Sequence, residues 1–117
     1  MMRTKYMTNI SKYDVIVVKF PFASSIKYKA RPAVVLSSNL YHGGGRDTVI
    51  ILAISSNVTQ KIDFETTIME WNDAGLLKPS IFKSAIATIE KSYVLEKVGH
   101  LATQDIENLQ KLIANIC

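Results

Sequence analysis

The sequence contains a single cysteine, Cys117, at its last position. One thiol cannot form an internal disulfide, and it offers no cysteine cluster for a metal ion. No apolar run approaches the length of a membrane span, and no apolar core follows the basic residues Arg3 and Lys5. We therefore expect a cytoplasmic protein with neither a signal peptide nor a membrane segment.

Histidine is equally scarce, with only His42 and His100 in 117 residues. Two imidazoles can cleave RNA by acid–base chemistry, because they titrate near neutral pH. Nothing in the sequence brings these two together, so we interpret both as structural. The three glycines at positions 43–45 lack the Lys-Ser/Thr of a phosphate-binding loop, and they predict a flexible hairpin connection. We predict no metal site and no cofactor.

Basic residues are concentrated in one part of the chain, although the formal net charge is only +4. Residues 1–31 hold seven of the 14 basic residues but only one of the ten acidic residues. This asymmetry favours one charged face, whose natural partner is a polyanion such as nucleic acid. The alternative is a solvated tail followed by a strand with chance lysines.

The apolar pattern predicts one mainly β domain that covers residues 1–117. Apolar residues make up 48% of the sequence, which is typical of a folded domain. Short β-branched stretches predict five or six strands at 13–20, 32–38, 48–55, 64–68, 80–82 and 85–89. Short strands with tight connections favour a small, curled antiparallel sheet or barrel of the α+β class.

Two helical segments are predicted in the second half of the chain. Residues 69–74 form a single helical turn that ends at Gly75. A C-terminal helix begins near Thr103 as its N-cap, and Ile106, Leu109 and later apolar residues recur on one stripe. That stripe lies on the sheet or on a partner, and we expect Ile106 and Leu109 to help form a dimer.

The strongest candidate site is at one end of a predicted hairpin. Arg31 stands before the apolar strand 32–38, with Pro32 at its entrance. If strands 32–38 and 48–55 pair antiparallel, Arg31 and Ser55 meet at the same sheet edge. An arginine fork and a hydroxyl are suitable donors for a phosphate group. Read alone, Arg31 is equally compatible with an ordinary surface arginine.

Other residues near this edge are candidates for RNA binding. Tyr28 is flanked by Lys27 and Lys29 in a predicted loop, so its ring is available to stack on a base. Ser56 and Asn57 follow Ser55 and can donate to phosphate, although such residues commonly only cap strands and turns. Phe22 and Trp71 are better explained by packing in the core.

Several sequence blocks, in order, resemble the MazF/PemK family of toxin ribonucleases. They begin with Asp-Val-Ile-Val-Val at 14–18 and Phe-Pro-Phe at 20–22, followed by Arg-Pro-Ala-Val-Val-Leu-Ser at 31–37 and Ala-Ile-Ser-Ser-Asn at 53–57. Later blocks lie at 75–80, 88–91 and 99–101. The resemblance covers nearly the whole chain from about residue 12.

The resemblance implies a small SH3-like or CcdB-like barrel that works as a homodimer. It implies metal-independent cleavage of single-stranded RNA, such as mRNA, within a short recognition sequence. The RNA's own 2′-OH attacks, giving a 2′,3′-cyclic phosphate and a 5′-OH, and a cognate antitoxin neutralises the toxin. The family's catalytic arginine corresponds to Arg31, and its catalytic threonine corresponds to Ser55.

The sequence departs from the family pattern at three places. Serine replaces threonine at position 55, which keeps the hydroxyl but loses the methyl group that restrains it. Tyr13 stands where the family commonly has glycine, and the loop before Arg31 lacks the usual glycines. Two rival functions stay open, a CcdB-like gyrase poison and a non-catalytic RNA-binding barrel.

Overall fold

The computed structural model describes residues 10–20, 29–43, 47–58 and 65–116. A 3₁₀ turn over Lys91–Tyr93 joins the last two strands. In this described part, no helix is long and apolar enough to cross a membrane. The elements in chain order are β1 (Asp14–Phe20), β2 (Lys29–Val35), α1 (Asn39–Gly43), β3 (Thr48–Ser55), β4 (Thr66–Ile68), β5 (Ser80–Glu90), β6 (Val94–His100) and α2 (Thr103–Ile116).

The strands form one antiparallel sheet in the order β4-β5-β3-β2-β1-β6. This order separates β5 from β6 by three strands, yet Ile89 of β5 and Val94 of β6 belong to one buried cluster. The sheet therefore curls until its distant strands share a core. The predicted mainly β fold with a C-terminal helix is confirmed.

The two faces of the sheet bury two separate apolar clusters, because successive side chains of a strand point to opposite sides. The inner face carries Ile16, Val18 and the side chains packed with them. The outer face carries Val15 and the residues that meet α2. Leu109 of α2 is 0% exposed in that outer cluster, and Ile106 packs against it. The prediction that Leu109 helps form a dimer is wrong, because it covers the protein's own sheet, whereas the same prediction for the half-buried Ile106 stays a prediction.

Several predicted elements differ from the structure. The predicted strands 80–82 and 85–89 form one strand, β5, and the strand predicted at 32–38 ends at Val35. Strand β2 begins at Lys29, so Pro32 lies inside the strand and just beyond the last β2–β3 pair, Ala33 with Ala53. The connection after β2 contains the short helix α1 instead of only a glycine-rich hairpin loop. The carbonyl of Ala102 accepts the N–H of Ile106, so Ala102 rather than Thr103 is the capping residue of α2.

A buried carboxylate fastens the turn over residues 69–75 to α2. Both oxygens of Asp105 accept backbone N–H groups, from Met69 at 2.7 Å and from Glu70 at 2.9 Å. Asp105 is 0% exposed, and charge-assisted hydrogen bonds of this kind are among the strong ones. The turn ends at Gly75 in the left-handed region, as predicted, with φ of 89°.

Tyr13 has a backbone conformation that glycine adopts more easily than other residues. Its φ is 73°, in the left-handed region that strains residues with a Cβ atom. The backbone is fixed on both sides, because the N–H donates to Val35 and the carbonyl accepts from Leu101. The ring offsets the strain by packing against the outer cluster and accepting a hydrogen bond from Gln110 at 3.1 Å.

Replacing Tyr13 with glycine and with alanine separates strain from side-chain contact. Both variants lose the ring, but only alanine keeps the Cβ atom that makes a positive φ unfavourable. We expect Tyr13→Gly to be more stable than Tyr13→Ala by about 1 kcal/mol, measured by urea denaturation. Equal stability of the two variants would show that no strain is stored here.

Candidate active site

Arg31 lies on β2 at the open end of the β2–β3 hairpin, away from α1. Its side chain is exposed and its backbone pairs with Val18 of β1. The last β2–β3 pair joins Ala33 to Ala53, and extending that register by two residues sets Arg31 opposite Ser55. Because side chains alternate between the two faces along each strand, Arg31 shares the inner face with Ala33, and Ser55 shares it with Ile51. Arg31 and Ser55 therefore belong to the same end and the same face.

Ser55 is the last residue of β3, and its backbone pairs with Ile81 of β5. Its hydroxyl oxygen accepts the N–H of Asn57 at 3.1 Å. This bond orients the hydroxyl while leaving its own proton available for donation. The half-buried serine thus presents an oriented hydroxyl donor at the end of the sheet that carries Arg31, and both groups are suitable donors to a phosphate oxygen.

The other predicted RNA-binding residues are placed less completely. Lys27 and Tyr28 lie outside the described residues, as does Phe22. Lys29 pairs with Phe20 at the start of β2, so it belongs to a strand rather than to the predicted loop. Ser56 and Asn57 are exposed directly after Ser55. The backbones of these three residues share the end of the sheet that carries Arg31.

A cleft that sequence reasoning missed lies on the outer face of the sheet. It has a volume of about 600 Å³, and its apolar lining includes Val17, Pro32, Leu76 and Val98. The lining also includes Ala30, Ser56 and three charged residues, Lys78, Glu96 and Lys97. Arg31 and Ser55 do not line it, because their side chains alternate to the inner face. We call this feature the outer cleft.

Two glycines shape one wall of the outer cleft. Gly75 ends the turn over residues 69–75, and Gly99 lies on β6. A Cβ atom on Gly75 would overlap the carbonyl oxygen of Val98, and one on Gly99 would overlap that of Ala74. Only glycine permits the turn and the strand to approach so closely. The wall could not be read from the sequence, because it depends on this long-range contact.

His100 forms part of a polar cluster around Asp14 at the start of β1. The Asp14 side chain is 2% exposed, and Nδ1 of His100 lies 2.7 Å from its Oδ1 atom. Lys97 lies 3.3 Å from the other oxygen, Oδ2, which also accepts the N–H of Ser11. The cluster joins β1 to β6, which agrees with the structural interpretation of His100.

Two further predictions concern side chains away from Arg31. Trp71 is half-buried and packs against the outer cluster, which confirms its predicted place in the core. His42 lies in α1, and its side chain is outside the described part. Within residues 10–20, 29–43, 47–58 and 65–116, no three His, Cys, Asp or Glu side chains form a group that could hold a metal ion.

The sequence matches one family model and the fold matches several solved structures. Residues 11–117 match the model of the PemK-like, MazF-like toxin of type II toxin–antitoxin system. A comparison with curated protein sequences gave no match. The Mycobacterium tuberculosis toxin MazF-mt6 is 22% identical, with 87% of this chain and 93% of that chain covered and a TM-score of 0.67.

Two other structures show the same fold at lower identity. MazF from Deinococcus radiodurans is 14% identical, with 91% of this chain and 94% of that chain covered and a TM-score of 0.71. A mycobacterial endoribonuclease in complex with its cognate antitoxin is 12% identical, with 90% and 89% covered and a TM-score of 0.67. Since the family model spans nearly the whole sequence, the chain belongs to the PemK-like, MazF-like toxin family of type II toxin–antitoxin systems.

Proposed function

We propose that the protein is a toxin endoribonuclease that cleaves single-stranded RNA without a metal ion. The observation that carries this proposal is the β2–β3 register, which directs Arg31 and Ser55 to one end and one face of the sheet. Membership of a toxin family supplies the biological setting. Arg31 and Ser55 are the catalytic residues, and Lys27, Tyr28, Lys29, Ser56 and Asn57 bind the RNA strand around them.

The reaction is a transesterification within the RNA. The 2′-OH oxygen bonds to the adjacent phosphorus and loses its proton, while the bond from phosphorus to O5′ breaks and O5′ gains a proton. The products are a 2′,3′-cyclic phosphate and a 5′-OH. Negative charge grows on the phosphate oxygens as the attack proceeds. Positioned donors to such charge are worth about 3–4 kcal/mol each.

Arg31 and Ser55 supply these donors in our proposal. The guanidinium fork of Arg31 binds the phosphate oxygens and donates toward the leaving oxygen. We assign Arg31 primarily to stabilisation of the charge on the phosphate, and we assign no residue to the role of the base. The Ser55 hydroxyl, oriented by the N–H of Asn57, donates to the same phosphate.

The partners follow from the family and from the structures that resemble this fold. One similar structure is an endoribonuclease with its cognate antitoxin, and another is MazE–MazF from Deinococcus radiodurans. By extension, a cognate antitoxin neutralises this toxin in the cytoplasm, and the active form is a homodimer. A gyrase poison has no use for the Arg31–Ser55 pair, and that pair therefore favours the ribonuclease.

The test is incubation of the purified protein with a long single-stranded RNA in EDTA. Discrete fragments with 5′-OH and 2′,3′-cyclic phosphate ends are the expected products, and they would exclude the non-catalytic RNA-binding barrel. RNA that stays intact across many different sequences would contradict the proposal. A parallel supercoiling assay with gyrase would then examine the gyrase poison.

Substitutions at Ser55 test the role of its hydroxyl. Ser55→Ala removes a donor to the phosphate, and we expect cleavage to fall about 100-fold. Ser55→Thr keeps the donor and restricts its rotamers, so its rate should equal or exceed that of the parent. The measurement is the initial rate of fragment formation at a saturating RNA concentration. A fully active Ser55→Ala protein would remove the hydroxyl from the mechanism.

A further inference from the structure

The outer cleft has the size and the lining of a small-ligand site. Its volume of about 600 Å³ lies within the range of known ligand pockets, roughly 300–1,000 Å³. Val17 and Pro32 face each other across the β1–β2 register, and Val98 and Leu76 add apolar surface. Such walls suit a flat, weakly polar ring.

The cleft reaches the same end of the sheet as the candidate active site, on the opposite face. Its lining includes Ala30 and Pro32, on either side of Arg31, and Ser56, directly after Ser55. An RNA strand whose scissile phosphate lies at Arg31 and Ser55 can pass over this end of the sheet. A neighbouring nucleotide then reaches the outer face, where the cleft opens.

Glu96 gives the cleft a specific polar group. It pairs with Val17 in the β1–β6 register, which places both residues in the cleft lining. A carboxylate accepts hydrogen bonds from the exocyclic amine of a base, and it repels the carbonyl oxygen that uracil presents instead. Lys78 adds positive charge to the lining, which is favourable for a phosphate group beside the base, whereas Lys97 is paired with Asp14.

We propose that the outer cleft is a specificity pocket for one nucleobase of the RNA substrate, and that Glu96 selects a base with an exocyclic amino group. This inference rests on the proposed ribonuclease function and adds to it a second, non-catalytic subsite. Glu96 is a specificity-determining residue, since it contacts the base and not the reacting phosphate.

The first experiment uses RNA oligonucleotides with a randomised segment, cleaved in EDTA and sequenced at their new ends. In the parent we expect one position near the scissile bond to prefer cytosine over uracil by about tenfold. Glu96→Gln should bring the cytosine-to-uracil ratio close to one at this position alone. The glutamine amide can accept a hydrogen bond from the amine of cytosine and can also donate one to the carbonyl oxygen of uracil. Glu107→Gln, a matched change of an exposed glutamate on α2, should leave every preference unchanged.

Three results would overturn the proposal. The base preferences could stay unchanged in Glu96→Gln, or cleavage could fall equally for all sequences, which is the signature of a merely structural role. A Glu96→Gln protein with normal base preference but weakened antitoxin binding would assign the cleft to a protein partner. Thermal melting of each variant confirms that it is folded.

A second measurement separates this proposal from the ribonuclease function. The methyl NMR signals of Val17 and Val98 are followed during titration with cytidine monophosphate and with uridine monophosphate. Shifts with the cytidine nucleotide that weaken in Glu96→Gln would support the pocket even if RNA cleavage failed. No shift with either nucleotide would overturn the pocket even if RNA were cleaved.

Discussion

Replacing Arg31 with alanine is expected to lower the rate of RNA cleavage by about 100-fold to 1,000-fold. In the proposed mechanism, the guanidinium of Arg31 provides the fixed positive charge, and the hydroxyl of Ser55 cannot replace that charge. Because Arg31 is exposed at the end of β2, alanine should leave the stability of the fold nearly unchanged. The rate is measured with the EDTA assay, and stability by thermal melting of the same preparation.

Arg31→Lys distinguishes geometry from charge alone. Lysine keeps the positive charge but loses the planar fork that binds two oxygens, so most of the loss should persist. Lys111→Ala is the control, since this exposed lysine lies on α2. Cleavage by Arg31→Lys at the parental rate would contradict the role given to the fork.

The second large effect concerns Gly75, where we expect alanine to destabilise the protein by about 3 kcal/mol or more. The residue has φ of 89°, which is strained for any side chain. Its new Cβ atom would also overlap the carbonyl oxygen of Val98, so the turn and β6 would have to separate. The free energy of unfolding is measured by urea denaturation.

Gly99→Ala provides the matched comparison. Its Cβ atom meets the carbonyl oxygen of Ala74 in the same close approach, but Gly99 does not have a positive φ. We therefore expect Gly99→Ala to destabilise the protein less than Gly75→Ala. An equal loss in the two variants would mean that backbone conformation at Gly75 contributes nothing beyond the contact.

The hairpin of β2 and β3 was predictable because β3 is a long apolar, β-branched run and β2 ends in the buried residues Ala33, Val34 and Val35. Strand β6 was not predicted, for an equally physical reason. Leu95 is 42% exposed, and two irregularities interrupt the pairing of β6 with β1. These features break the period of two that identifies a strand. Helix α1 was not predicted, because the glycines at positions 43–45 favour a loop. In the structure, Ser38 accepts the N–H of Tyr41 in a capping bond at the start of this helix.

The candidate site was predictable to the extent that it depends on neighbouring strands. Antiparallel pairing alone relates Arg31 to Ser55, and the family resemblance marks both positions. The outer cleft combines β1, β2, β6 and the turn that ends at Gly75, which are distant in sequence. Only a folded chain shows that Glu96 lies across from Val17.

The pairing of β1 with β6 also determines how late in translation the fold can be completed. The first described strand stays without its second neighbour until residues 94–100 have left the ribosome, and the turn over residues 69–75 waits still longer for Asp105. A chain interrupted during translation therefore lacks both the closed sheet and the wall of the outer cleft. The order of synthesis therefore delays completion of the sheet and of this wall until Asp105 has been made.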